Sequence, residues 1–368
     1  MKKIFGLVVT LFLFSGDIVL AEKKNLVVFG DSLSDTGNSK TDDKAIPYWK
    51  DRFADGPIWS EYAAHFLKRG LVTFAHGSAV TNTSIYEHLA QDASSRPSLV
   101  VQVDMYTRML EDGILQVNPA RDTAVIFVGS NDFAHIFNDT RASAIEKLSR
   151  VSEVARSIVR IADTLAKLGH RQIVVFNVPD LGSTPVASEF GRIASFIVRP
   201  IISNFNRALS TQINSLATTW EREYGQTRSF SIFDMYKFSQ FVSTPRSLAR
   251  LNITDGSHAC HQSNHAATNV ISSCSDPSSY MYFDLVHPST KIHSWIGILA
   301  ANLIARNFRP TNQTAFSENL FFGAFDTSQP HIPLPVSFPV HLSFPSITSR
   351  EILKTIISYK PLENIQPQ

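Results

Sequence analysis

Apolar residues along this chain alternate between short unbroken runs and longer stripes at helical spacing. Residues 26–29, 72–75, 124–128, 173–176 and 230–233 are runs of four or five residues with little polar interruption. Runs of that length, without polar alternation, predict strands buried on both faces. The intervening segments have a helical period. Pro57 suits the first turn of a helix over 58–68, and 99–112 has helical spacing. In 142–168 the apolar positions Ala144, Leu148, Val151, Ala155, Ile158, Ile161 and Leu165 form one stripe, with Gly169 as its cap. Residues 190–224 predict a long helix, bent or interrupted at Pro200, and 288–306 a last one. The Phe196-Ile197-Val198 patch and Ile201-Ile202 read as a core face, with the lining of an acyl pocket as the alternative. Strand and helix thus alternate five times, which predicts an α/β fold: a five-stranded parallel sheet covered on both faces by helices.

Polar, glycine-containing stretches follow the strands. The first run enters Gly30-Asp31-Ser32-Leu33-Ser34-Asp35-Thr36-Gly37-Asn38, the second enters His76-Gly77-Ser78-Ala79, and the third enters Gly129-Ser130-Asn131-Asp132. Ligands collect at the carboxyl ends of parallel strands, so Ser32 is well sited for a nucleophile. The alternative is a Ser/Asp helix cap, and the G-x-S-x-G elbow is absent. A serine nucleophile needs a base and a carboxylate to orient that base. Asp284 and His287, three apart in Asp284-Leu285-Val286-His287-Pro288, offer both, with Pro288 at the first helical position fixing His287. The alternative there is a capping Asp and a surface His. The Asn131 amide and the Gly77 backbone N–H are candidate oxyanion donors, although both also fit ordinary turn chemistry. Trp49, Phe53 and Trp59 read as packing residues, and His293 as non-catalytic.

The chain has 368 residues, 43% hydrophobic and 18% charged, with a formal charge of +2. That fits one sizeable domain with additions and no nucleic-acid partner. Residues 1–21 have the form of a signal peptide: Lys2 and Lys3, an apolar stretch over 4–14, and Val19-Leu20-Ala21 at the cleavage site. Export, to a periplasm or beyond the cell, makes a disulfide the default for the only two cysteines, Cys260 and Cys274. A metal site with His258, His261 and His265 is the alternative, although the spacing matches no common zinc pattern. Residues 309–368 form a Pro/Phe-rich extension, expected to be extended or irregular and too short for a membrane barrel.

Gly30-Asp31-Ser32-Leu33, Gly77, Gly129-x-Asn131-Asp132 and Asp284-x-x-His287 resemble the four blocks of the GDSL, or SGNH, hydrolases. The longer run to Asn38, with Pro47-Tyr48-Trp49, Arg52-Phe53 and Gly56-Pro57, is similar to the bacterial branch of secreted lysophospholipases and glycerophospholipid:cholesterol acyltransferases. The resemblance spans about residues 25–307 and implies a three-layer α/β/α sandwich of the flavodoxin-like kind over residues 22–308. It further implies Ser32 as nucleophile, His287 as base, Asp284 as its orienting acid, and an oxyanion hole of the Ser32 N–H, the Gly77 N–H and the Asn131 side chain. Many relatives have a second glycine where this chain has Ser78, which leaves the backbone donor open by one position. The expected function is a secreted or periplasmic serine esterase acting on phospholipids or lysophospholipids at membrane surfaces, without metal or organic cofactor. A sterol is a further acyl acceptor, and an activating protease acting in the Cys260–Cys274 loop a further partner. The alternatives are a carbohydrate or small-ester acetyl esterase on the same fold, and a non-catalytic surface binding protein.

Overall fold

The computed structural model describes residues 24–86, 96–115, 117–189, 191–225, 228–264, 266–305 and 346–348. The signal peptide expected at 1–21, and the extension 309–368 apart from 346–348, lie outside the described residues. In chain order come β1 (Asn25–Gly30), α1 (Trp59–Leu67), β2 (Gly70–Thr73), α2 (Leu99–Glu111), β3 (Thr123–Phe127), α3 (Ser130–Asn138) and α4 (Ala144–Lys167). They are followed by β4 (Gln172–Phe176), α5 (Pro185–Glu189), α6 (Gly191–Tyr224), β5 (Ser229–Phe233), α7 (Met235–Val242) and α8 (Pro245–Arg250). A small β region then precedes the last helix: β6 (Asp255–Ala259), β7 (His261–Ser263), β8 (Val270–Ser273) and β9 (Tyr280–Tyr282), then α9 (Thr290–Ala305).

The five long-range strands pair in parallel in the order β2-β1-β3-β4-β5. A short strand from the extension, β10 (Ser346–Thr348), joins the free edge of β2, also in parallel. Successive strand residues face opposite sides. Leu26, Val28, Val125, Phe127, Val174 and Phe176 pack with Trp59, Ala63, Ile292 and Ile296 of α1 and α9. Val27, Phe29, Ala124, Ile126, Ile173 and Val175 pack with Val103, Phe133, Ile158, Leu165, Phe205 and Leu209 of the helices on the other side. Because both faces are covered, the central strands β1, β3 and β4 carry apolar residues on both sides. The chain leaves β1 for β2 on one side and returns to β3 on the other. That reversal opens a crevice at the carboxyl ends of β1 and its two neighbours. Register keeps the ends level: Phe29 pairs with Ile126 and Gly30 with Phe127.

Several local expectations change. Helix α6 runs through Pro200. Its buried face, Ile202, Phe205, Leu209, Ile213 and Trp220, holds the helix on the sheet despite the lost backbone donor. The core-face reading holds for Ile202 but not for Phe196 and Ile197, which are exposed. On α4 the stripe is buried from Val154 onward and Leu148 is exposed, because the first turns overhang the core. Pro57 precedes α1: Ile58 caps it, and the buried Glu61 carboxylate accepts the Ile58 N–H at 3.0 Å. Pro288 is likewise outside α9. It forms an antiparallel bridge with Tyr282, and α9 begins at Thr290, whose N–H donates to Asp55 at 2.7 Å.

Candidate active site

Ser32 sits in a turn made tight by its neighbours. A Cβ on Gly30 would collide with the Phe127 carbonyl oxygen, so only glycine lets β1 run this close to β3 at its end. The Asp31 carboxylate accepts the Leu33 N–H at 3.0 Å, and the Asp31 carbonyl accepts the Ser34 N–H at 2.9 Å. From α2, the buried Gln102 side chain accepts the Gly30 N–H at 2.9 Å and donates to the Gly30 carbonyl at 2.8 Å. It thereby pairs with the last residue of β1 as a strand would.

Asp284 and His287 form a second tight turn. One Asp284 oxygen, Oδ1, accepts the backbone N–H groups of Val286 and His287 at 2.8 and 2.7 Å. The Phe283 N–H donates to the His287 carbonyl at 2.8 Å and closes the loop. His287 Nδ1 lies 2.7 Å from Asp284 Oδ2, and His287 Nε2 lies 2.7 Å from Ser32 Oγ. An acceptor-only carboxylate makes Nδ1 the donor, which leaves Nε2 to accept the serine hydroxyl. Burial pushes the Asp284 carboxyl up, but the adjacent His287 ring and the hydrogen bonds it accepts bring it below the ordinary value. Ser32 and Asp284 are nearly buried. The aromatic segment before α1 closes the other side. Phe53 stacks on the His287 ring, centroids 5.1 Å apart, and the Tyr48 hydroxyl donates to Asp284 Oδ2 at 2.6 Å.

The other expected donors need one correction. The Gly77 N–H is directed away from a ligand, to Asp35 Oδ2 at 2.8 Å and Ser39 Oγ at 2.7 Å. The residue must still be glycine, since a Cβ there would meet the Phe53 ring at 2.7 Å. Ser78, next along, is exposed with φ +63°. Its backbone N–H is therefore the donor candidate in place of that of Gly77. Asn131, at the N-terminal end of α3, donates one amide hydrogen to the Ala79 carbonyl at 2.9 Å. That contact orients the amide and leaves its second hydrogen for a ligand.

Asp35 explains the run that follows Ser32. Its carboxylate accepts the N–H groups of Gly37, Asn38, Ser39 and Gly77, and the Asn38 amide donates to the Thr73 and Ala75 carbonyls. The stretch thus ties the end of β2 to the end of β1. The signal in the sequence was the Asp/Gly/Asn composition of the run, which favours side chain-to-backbone bonds. Tyr48, Phe53 and Gln102 were not singled out for the site. Their own stretches read as packing or as an ordinary helix face, and their partners lie far along the chain.

Cys260 and Cys274 are joined in a disulfide, so neither sulfur is a thiolate available to a metal. His258 pairs with Asp255 and His261 with Ser273, while His265 lies outside the described residues. The bridge closes the β7–β8 hairpin beside the site: Cys260 and His261 donate their N–H groups to the Tyr282 and Phe283 carbonyls. His293 is buried and held neutral, pushed by burial down to about 3. It accepts the Trp59 N–H at the start of α1, 3.3 Å away.

Asp31 is fully buried with one oxygen, Oδ2, lacking a partner among the described residues. Burial raises it from 3.8 to about 7, against the Leu33 N–H and the His287 ring. Between those two values the folded chain holds a proton that the unfolded chain has released. The stability contributed by the neutral carboxyl is whole below about pH 4 and is lost as pH rises through about 7. Asp31→Asn stays neutral throughout. Relative to wild type it should gain about 2–4 kcal/mol between pH 4 and pH 8, read from urea midpoints at the two values. A pH-independent difference would contradict the assignment.

The chain is similar to known proteins. A family model described as GDSL-like lipase/acylhydrolase matches residues 26–299. The phosphatidylcholine-sterol acyltransferase of Aeromonas hydrophila is 22% identical over 327 residues, covering 77% of this chain and 90% of that protein. The secreted effector protein SseJ of Salmonella typhimurium is 23% identical over 310 residues, covering 79% and 66%. Among solved structures, the acetylxylan esterase Axe2 of Geobacillus stearothermophilus is 14% identical and covers 78% of this chain and 96% of that one, with a TM-score of 0.41. The match to the family model runs from β1 into α9 and takes in every strand end that builds the site; the chain belongs to the GDSL-like lipase/acylhydrolase family.

Proposed function

We propose that the protein is a secreted serine esterase that cleaves fatty-acyl esters of phospholipids and lysophospholipids through an acyl-enzyme on Ser32. The observation that carries the chemistry is the unbroken relay from Ser32 through His287 to Asp284. In this mechanism His287 Nε2 takes the Ser32 proton as Oγ attacks the ester carbonyl. The negative charge on the tetrahedral oxygen is met by the Ser32 and Ser78 N–H groups and the Asn131 amide. Collapse breaks the ester bond, and the imidazolium returns its proton to the leaving alcohol. Water, activated by the same histidine, then releases the fatty acid and restores Ser32. A sterol hydroxyl in place of water yields a steryl ester by the same steps.

Two observations support the lipid reading. The Aeromonas relative is named for phosphatidylcholine and sterol. Apolar side chains are also exposed: Val286, beside His287, and elsewhere Phe196 and Ile197 on α6. The preceding helix α5 is bonded to the His287 turn through the Val186 N–H and the Leu285 carbonyl. Secretion is supported by the leader-like residues 1–21, by the disulfide, and by the Salmonella relative, which is named as secreted.

A product assay tests the reading. Fatty acid should be released from lysophosphatidylcholine and phosphatidylcholine vesicles at least about 100-fold faster than acetate from acetylated xylan. With cholesterol in the vesicles, part of the acyl flux should appear as steryl ester. Faster release of acetate than of fatty acid would instead favour the acetyl esterase.

A further inference from the structure

We propose that Tyr48 is a positioning residue of the catalytic relay, a fourth member whose hydroxyl fixes the Asp284 carboxylate that in turn holds His287. This rests on the roles proposed above for Ser32, His287 and Asp284.

Tyr48 and Asp284 are 236 positions apart, yet the hydroxyl donates to Oδ2 at 2.6 Å, the same oxygen that receives His287 Nδ1. The two backbone N–H groups on Oδ1 complete the set. A carboxylate has about four acceptor sites, so Tyr48 occupies the last of them and the group has no freedom to turn from the histidine. The ring is itself held. It packs on Phe53 at 5.3 Å and Phe283 at 5.8 Å, and presents itself edge-on to His287 at 6.5 Å. Its backbone N–H donates to Ile46, and the next residue, Trp49, donates to Ala54, closing the short loop that also carries Phe53. Burial and the nearby Asp284 charge raise the phenol well above its ordinary range, so it remains a donor wherever His287 can act as a base.

The hydroxyl also sets basicity. It stabilises the charged carboxylate, and without it Asp284 would hold the imidazolium proton more strongly. Among the described residues, Asp31 from the Ser32 turn, His261 from β7 and His293 from α9 are further titratable groups that act on this pair. The two histidines are held toward their neutral forms by burial. Burial, not the phenol, raises Asp31, so its effect is common to the two pH profiles.

The experiment compares wild type with Tyr48→Phe on lysophosphatidylcholine micelles and on a short-chain nitrophenyl ester. Competent sites are counted by titration with a fluorophosphonate. Per titrated site, Tyr48→Phe should lower kcat about tenfold with KM unchanged, and should move the acid limb of kcat/KM upward by about half a pH unit. An unchanged kcat and limb would overturn the proposal. So would a fall in kcat with an unmoved limb, since that is the mark of packing alone. If Tyr48→Phe does not fold, 3-fluorotyrosine at position 48 replaces it. Its more acidic hydroxyl is a stronger donor, and the limb should move downward; an unmoved limb overturns the proposal equally. Failure of the underlying catalytic reading is distinguishable, because wild type would then take up no fluorophosphonate at Ser32.

Discussion

Ser32→Ala is expected to lower hydrolysis of acyl esters by at least about 10⁴-fold and to abolish covalent labelling by a fluorophosphonate. The alanine removes one oxygen from a nearly buried turn and leaves its neighbours in place. Asp31 still receives the Leu33 N–H, Gln102 still brackets Gly30, and His287 keeps Asp284. The thermal midpoint should therefore barely move, and the loss belongs to chemistry alone. What survives is transition-state binding by the oxyanion donors, which cannot form a covalent intermediate. Fatty-acid release from lysophosphatidylcholine within tenfold of wild type would remove Ser32 from the mechanism.

Asp284→Asn should cost about 10⁴-fold in kcat while the chain stays folded. The reason is tautomeric. The Asn oxygen can still accept the Val286 and His287 N–H groups, which places its NH₂ group toward His287 Nδ1. A donor there forces the proton onto Nε2, and an Nε2–H cannot accept the proton of Ser32. The same NH₂ group also confronts the Tyr48 hydroxyl with a donor where it had an acceptor. Steady-state kinetics with a thermal scan on the same samples checks both halves. A variant within tenfold of wild type, with its fold intact, would mean that His287 does not depend on Asp284 for orientation. The two substitutions also separate in their pH behaviour. Loss of the nucleophile is independent of pH, whereas a misdirected base should recover partly in strong alkali.

Much of this was legible along the chain. The five strands were visible as short apolar runs because a strand buried on both faces has no polar alternation to disguise it. Ser32, Asn131 and the Asp284–His287 pair were visible because each lies in its own compact turn, and a turn is written in adjacent residues. The Gly77 N–H, expected to face a ligand, is taken up within the protein. Asp35 draws the Gly77 N–H inward, and a glycine motif alone does not reveal which of two consecutive N–H groups will be taken. Pro288 was read as the first residue of a helix because proline suits that place. The competing bridge to Tyr282 is a pairing of residues that only folding brings together.

Sequence by itself determined the α/β class, the order of elements and the chemical identities at the strand ends, since these follow from local period and local turn chemistry. Tertiary structure decided which of those groups meet. The reversal of strand order around β1 brings the ends of β1, β2 and β3 to one crevice. The turn after β9 sets His287 against Ser32 across 255 positions. Tyr48, Phe53 and Gln102 joined the site for the same reason. A hydrogen bond or a stacked ring depends on distances of a few ångströms in space, and separation along the chain carries no record of them until the helices have packed on the sheet.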